Sequence, residues 1–464
     1  MSEKELPLEE GYPQQVEKRA PSRNRGVLAA IIINFLLLGT LVHPTTRSYH
    51  PACHAYSRLR PQTVENRVHN ILSTTPLIDG HDDFPLLVRA LYHNKIYGNF
   101  SEAFSETGLP MQVDLPRLRA GQNGGAFWSV FAPCPANGSD WSDENYRSSV
   151  QFTLEQIDLV NRLSAAFSKD FSNVIGITAD SALASFKEGK LISPLGVEGL
   201  HQIGNSVANL RLFHSLGARY VTLTHNCGNI FADSALVEHP FRKAEPYWGG
   251  LSPKGKKLVH EMNRIGMIVD LAHVSADTMR DVLGGSDWEG SKAPVMYSHS
   301  SAFSICPHPR NVPDDILQLV KKTNSIVMVN FAPDFISCED VGNDNGVPAP
   351  VPENATLDKV ADHITYIGDL IGYDHVGVGS DFDGIPSVPK GLEDVSKYPE
   401  LFAELLRRGV SDVDAAKVAG GNILRVWKDV EITAAKLQEE DFPVYEDEIP
   451  KGSIGQSLNQ IGLY

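Results

Sequence analysis

Positive charge is scarce in this chain of 464 residues: 41 Lys and Arg stand against 57 Asp and Glu, a formal net charge of -16 at pH 7. A surface of that sign repels polyanions, which excludes a general nucleic-acid binder. No segment recurs at the periods of roughly 20 to 50 residues that build solenoids and propellers. Cysteine is sparse, with five in all (Cys53, Cys134, Cys227, Cys306 and Cys338). The C-terminal stretch SIGQSLNQIGLY lacks the apolar tail of roughly 10 to 20 residues that a lipid-anchor signal needs. Hydrophobic residues are plentiful at 42%. At this length they can bury the core of one large domain or two to three average ones, which excludes global disorder.

Long apolar runs are missing as well, with one exception: GVLAAIIINFLLLGTLV, residues 26–42, carries no charge. It sits at the lower edge of the roughly 17 to 25 residues that cross a bilayer as a helix. A buried core helix would show a polar stripe, and here only Asn34 and Thr40 interrupt the apolar surface. Lys18, Arg19, Arg23 and Arg25 precede it, a basic flank of the kind that stays cytoplasmic. The following HPTTRSYHP has no small-x-small cleavage site, which favours an uncleaved anchor over a signal peptide. The expectation is a single-pass membrane protein with a cytoplasmic N-terminus and an extracellular or lumenal catalytic domain. Three sequons, at Asn99, Asn137 and Asn354, fit that address as glycosylation sites.

The segments then order themselves as a cytoplasmic tail (1–25), the anchor (26–42), a stalk (43–67), a catalytic domain (68–430) and a C-terminal arm or tail (431–464). Within the domain, short apolar runs ending in polar residues alternate with amphipathic stretches. The runs are TPLIDGHDD, NVIGITAD, ISPLGVEG, ARYVTLTHN, GMIVDLAHVS, APVMYSHSS, NSIVMVNFAP and HVGVGSDFDG. The stretches include Ser148 to Phe167, Gly204 to Leu216, Gly255 to Ile265, Val312 to Lys322 and Leu357 to Ile371. Strand then helix, repeated about eight times, predicts an α/β fold with parallel strands, a (β/α)8 barrel. Nearly every run ends in His, Asp, Glu or Asn, and a barrel collects those ends into one active site. A doubly wound sheet remains the alternative and would bind at one switch point.

His81 and Asp83 form a His-x-Asp pair at the end of the first run, where residues i and i+2 share a face and can reach one metal. Taken alone, the pair also reads as a capping Asp beside a surface His. Glu198 in PLGVEGL is a strand-end carboxylate able to bridge two ions. His273 in VDLAHVS and His299 in MYSHSSA each close an apolar run, 26 residues apart. Either could be a hydrogen-bonded core residue. Together the five make a mixed nitrogen and oxygen set suited to zinc and large enough for two ions. Asp381 in GVGSDFDG adds a carboxylate, with Asp383 as its rival. Two metals that hold and acidify a water point to hydrolysis of a carbonyl compound.

The words LIDGHDDFP, DLPRLRAGQNGGAFWSVF, GVEGLHQIGN, RYVTLTHNC, IVDLAHVS, SHSSAFSICPHPRNVPDD, VGVGSDFDG and GLEDVSKYP occur in that order. In them the chain resembles the membrane dipeptidase (renal dipeptidase) family of zinc metallohydrolases. The resemblance implies a barrel of the metal-dependent hydrolase type and hydrolysis of L-aminoacyl dipeptides to free amino acids. It implies two zinc ions per subunit, one on His81 and Asp83, the second on His273 and His299, bridged by Glu198. By the same resemblance His225 of LTHNC contacts the scissile region, Arg310 of PRNVPD receives the substrate carboxylate, and Asp381 is the acid/base. It pairs Cys134 with Cys227 and Cys306 with Cys338, which leaves Cys53 as a candidate intermolecular bridge in a homodimer. Two rival functions stay open: hydrolysis of another amide, such as an N-acyl amino acid or β-lactam-like ring, and an inactive membrane-anchored binding module.

Overall fold

A computed structural model describes residues 62–448. Eight parallel strands follow one another in spatial order: β1 (Leu77–Asp82), β2 (Asn123–Ser129), β3 (Leu195–Glu198), β4 (Ala218–Thr222), β5 (Ile268–Asp270), β6 (Met296–Tyr297), β7 (Ile326–Val329) and β8 (Val376–Val378). Each pairs with its sequence neighbour in parallel register. This is an α/β fold with a nearly closed eight-stranded barrel, consistent with a TIM barrel. The seam between β8 and β1 is closed near the strands' C-terminal ends. Asp381 N–H donates to the His81 carbonyl at 3.0 Å and Asp83 N–H to the Phe382 carbonyl at 2.8 Å.

Most of the principal helices of the outer layer begin where the sequence offers a cap. Principal among them are α1 (Val64–Thr74), α2 (Asp143–Ala166), α3 (Val207–Ser215), α4 (Pro253–Ile265), α5 (Leu357–Ile371) and α6 (Asn422–Glu439). Thr63, Ser142, Ser206, Ser252 and Thr356 each accept a backbone N–H of the first turn, which satisfies a donor that has no partner inside the helix. Gly266 ends α4 in the left-handed conformation that costs glycine least. Ile78, Phe127, Tyr220, Ile268, Met296 and Met328, each from a different strand, cluster with Trp427 of α6. Convergence of six strands on one cluster is what closure of the sheet requires.

Several expectations need correction. The run NVIGITAD is not a strand: Gly176, at φ 73°, turns the chain, and the segment leads into the helix Ala179–Lys187. The missing strand is instead NGGAFWS, whose paired glycines hide it. Gly125, at φ 150°, lies so close to Ile192 that a Cβ would run into that residue's main chain. Helix α1 begins inside the expected stalk, and α6 runs past the expected domain end at residue 430. Of the C-terminal arm, the described part docks: Asp447 accepts the Val207 and Ala208 N–H groups at 2.7 and 2.9 Å, capping α3.

The apolar run 26–42, the tail before it and Cys53 lie outside the described residues. Among the described residues no helix is long and apolar enough to cross a membrane. The longest, α2 with 24 residues, carries charge along its length and buries only one face. The expected single-pass placement is therefore corrected: no described helix supports it. Asn99, Asn137 and Asn354 are all exposed.

Candidate metal centre

The strand ends bring the sequence-predicted residues together. His81 and Asp83 come from the end of β1, Glu198 from the last position of β3, His273 and His299 from the loops after β5 and β6, and Asp381 from the loop after β8. His81 Nε2 lies 3.2 Å from Asp83 Oδ2 and 3.5 Å from Glu198 Oε2. On the other side, Glu198 Oε1 lies 2.9 Å from His273 Nε2 and 3.4 Å from His299 Nε2. The two oxygens of one carboxylate thus face two separate donor sets. His273 and Asp381 hold φ values of 65° and 67°, a left-handed strain that surrounding structure must maintain.

Each imidazole is held from behind through Nδ1. His81 Nδ1 meets the Tyr220 hydroxyl at 2.7 Å, His273 Nδ1 meets Asn226 Oδ1 at 2.9 Å, and His299 Nδ1 meets Ser298 Oγ at 2.8 Å. The Ser298 hydroxyl donates to Asp270 at 2.7 Å, so its oxygen accepts from His299 Nδ1–H and leaves a lone pair on Nε2. Such partners fix the tautomer and raise ligand basicity at metal sites. Tyr220, Asn226, Ser298 and Asp270 were not singled out from the sequence; Asn226, beside His225 in LTHNC, and Ser298, beside His299 in MYSHSSA, stood next to flagged residues.

Two buried carboxylates at the same depth show a different role. Asp79 accepts from the Ser380 and His81 N–H groups at 2.8 and 3.1 Å, from the Ser380 hydroxyl at 2.5 Å and from the Tyr398 hydroxyl. Asp270 accepts from the Ser298 and Ala272 N–H groups and from two hydroxyls. Both are satisfied and tie strands together. Asp83, in contrast, keeps Oδ1 buried without any partner. An orphaned carboxylate oxygen, a carboxylate between two donor sets and two Nε2 atoms 3.0 Å apart form a set that fits divalent cations.

A cavity of about 210 Å³ opens on this set, lined among others by His225, Asn226, Arg310, Phe335 and Asp381. Arg310 is buried, stacks 4.9 Å over the Phe335 ring and leaves Nε without a partner. Burial lowers its pKa to about 10, while Asp381 and Glu198 hold it up. Burial pushes the Asp381 carboxyl up to about 8, against the pull of His81. Asp381 Oδ1 lies 4.0 Å from His81 Nε2, and Oδ2 accepts from Asn330 Nδ2 at 3.1 Å. The rival Asp383 does not line the cavity: its Oδ1 accepts the Gln112 N–H at 2.8 Å and its own N–H donates to Gln112 Oε1 at 2.9 Å, while its Oδ2 is buried without a partner. His225 Nδ1 lies 3.4 Å from Glu238 Oε1 and 3.6 Å from Cys134 Sγ. Both expected disulfides are present, Cys134–Cys227 and Cys306–Cys338.

Comparison with known proteins places this geometry. The chain is 47% identical over 382 residues to the dipeptidase aclJ of Aspergillus oryzae, covering 82% of this chain and 84% of the relative. It is 46% identical over 384 residues to an uncharacterised dipeptidase of Schizosaccharomyces pombe, covering 81% and 86%. Among solved structures, the probable dipeptidase PvdM of Pseudomonas aeruginosa superposes with a TM-score of 0.68 at 23% identity, covering 81% of this chain and all of that one. The metallo peptidase dipeptidase AC superposes with a TM-score of 0.63 at 25% identity, covering 77% and 99%. Residues 65–441 match the family model of the membrane dipeptidases. The chain is thus a peptidase, and it belongs to the membrane dipeptidase family, peptidase family M19, whose members are metal-dependent.

Proposed function

We propose that the chain is a two-zinc dipeptidase that hydrolyses L-aminoacyl dipeptides to free amino acids. The observation that carries this reading is Glu198, whose Oε2 faces His81 while Oε1 faces His273 and His299. One ion would be held by His81, Asp83 and Glu198, the other by Glu198, His273 and His299. A mixed imidazole and carboxylate set of this kind suits zinc. Bound there, zinc supplies a Lewis acid for the scissile carbonyl and an acidified water.

The remaining steps belong to the protein. Arg310 receives the substrate's free carboxylate; its planar fork can donate two parallel hydrogen bonds, and its unpartnered Nε supports such a role. His225 steadies the carbonyl oxygen as it gains charge. Asp381, with Oδ1 4.0 Å from His81 Nε2 and Oδ2 held by the Asn330 amide, takes the proton of the attacking water and passes it to the departing nitrogen. A cavity of about 210 Å³ with a cation at one wall favours two residues over longer chains.

The test is zinc analysis of the purified protein together with rates on a dipeptide and the tripeptide that extends it. Two zinc ions per chain and strong preference for the dipeptide are expected. Equal rates on both peptides would refute the substrate assignment, and activity persisting after complete zinc removal would refute the metal.

A further inference from the structure

His273 reaches the centre from the loop after β5, and the side-chain amide of Asn226 backs its ring, with Oδ1 2.9 Å from His273 Nδ1. An asparagine can present its oxygen or its nitrogen at nearly the same position, and the choice decides which imidazole nitrogen carries the proton. Glu238 makes that choice. Asn226 Nδ2 donates to Glu238 Oε1 at 3.2 Å, and an ionised carboxylate only accepts. With Nδ2 turned to Glu238, Oδ1 faces His273. His273 then carries its proton on Nδ1 and directs the Nε2 lone pair toward the centre.

The element that carries Glu238 is tied to the same loop. Glu238 ends the strand Leu236–Glu238, which forms a small antiparallel hairpin with Phe241–Lys243. At the hairpin's base the Ala235 N–H donates to the His273 carbonyl at 2.7 Å, and Ser234 bridges to Val274. Backbone and side-chain contacts therefore hold the hairpin and the ligand loop in one register.

We infer that Glu238 is a positioning residue of the metal centre: through Asn226 it fixes the tautomer and ring orientation in which His273 binds metal. The inference rests on the reading of His273 as a zinc ligand. Loss of a partner behind a metal-binding histidine costs about 10- to 100-fold in metal affinity.

The experiment measures zinc affinity of the full chain by competition with a chromogenic chelator. Affinity is the chosen readout because Glu238 also lies beside His225, so a change in turnover would not separate the two. Glu238→Gln is expected to weaken zinc binding about 10-fold or more, since the new amide no longer dictates the sense of Asn226. Glu245→Gln removes the same charge from a side chain 84% exposed in the segment that follows the hairpin; it is expected to leave affinity unchanged. The decisive variant is the pair Asn226→Asp with Glu238→Gln, in which the new glutamine donates to the new aspartate and the aspartate accepts from His273 Nδ1–H. It is expected to recover affinity to within about threefold of the unmodified protein, a rescue that general loosening of the hairpin would not produce.

Wild-type affinity in Glu238→Gln would overturn the inference, as would failure of the pair to recover affinity. If Glu238→Gln misfolds by circular dichroism, the pair alone decides. His273→Ala separates the two layers of the argument. If it loses one zinc while Glu238→Gln loses no affinity, only the role of Glu238 falls; if it keeps both ions, the metal-centre reading falls with it.

Discussion

Replacing Arg310 with methionine should abolish discrimination between a dipeptide and its C-terminal amide. The guanidinium is buried in the cavity wall over Phe335 with Nε unpartnered, so a substrate carboxylate can take two charge-assisted hydrogen bonds from it. Each is worth about 1.5 to 3 kcal/mol, or about 3 to 6 kcal/mol for the pair. Asp381 and Glu198 already draw on the same cation, which places the expected value in the lower half, about 3 to 4 kcal/mol. At about 1.4 kcal/mol per factor of ten, that is about 10²- to 10³-fold in kcat/KM. Removing Arg310 also leaves Asp381 and Glu198 less compensated, so the single variant mixes two effects. The cycle of two enzymes and two substrates cancels the common part. The assay is kcat/KM for the free dipeptide and its amide with wild type and Arg310→Met. A coupling below about threefold would refute the assignment of Arg310 to the carboxylate.

Glu198→Gln should lose zinc and activity together, whereas Asp381→Asn should keep its zinc and lose turnover by about 10²- to 10⁴-fold; metal analysis beside kinetics distinguishes them. Reverting Cys306 and Cys338 to serine should cost about 4 kcal/mol of stability on the chain-entropy estimate and spare kcat/KM. The same change at Cys134 and Cys227 should lower both, because Cys134 Sγ packs 3.6 Å from His225; equal kinetics in the two variants would count against this. Burial lowers the pKa of His201, His214 and His363 to about 4 each, so as pH falls below about 6.5 the unfolded chain takes up protons first. Their contribution to stability is full above about 6.5 and is lost toward pH 4. A denaturation midpoint that does not change between pH 7 and 4.5 would contradict it.

The barrel was legible because seven of its strands are apolar runs ending in chemistry, a pattern that needs no long-range information. β2 was not, because its two glycines serve close approaches that only the folded neighbours reveal, Gly124 to Pro76 and Gly125 to Ile192. At the site, the proposed ligands His81, Asp83, Glu198, His273 and His299 stood at strand ends where residue type and position agreed. Asp79 and Asp270 offer the same chemistry at the same depth. They differ from Asp83 only in being supplied with donors from Ser380, Tyr398, Ser298 and Thr222, residues distant in sequence. Glu238 had no local signal at all, since its meaning depends on an asparagine 12 residues away turning its amide. Membrane placement was argued from composition outside the described residues, and the helices within them are amphipathic.

The seam between β8 and β1 joins residues 301 positions apart, through Asp79 and Ser380. On a ribosome delivering about 5 to 20 residues per second, His81 and Asp83 emerge long before Asp381. Asp381 can be brought beside them only when the last strand closes against the first. A nascent chain halted anywhere before β8 therefore lacks the acid/base assigned to its own reaction. Under the role proposed for Asp381, closure of the sheet doubles as a completeness check, with activity gained only once nearly the whole domain has been made.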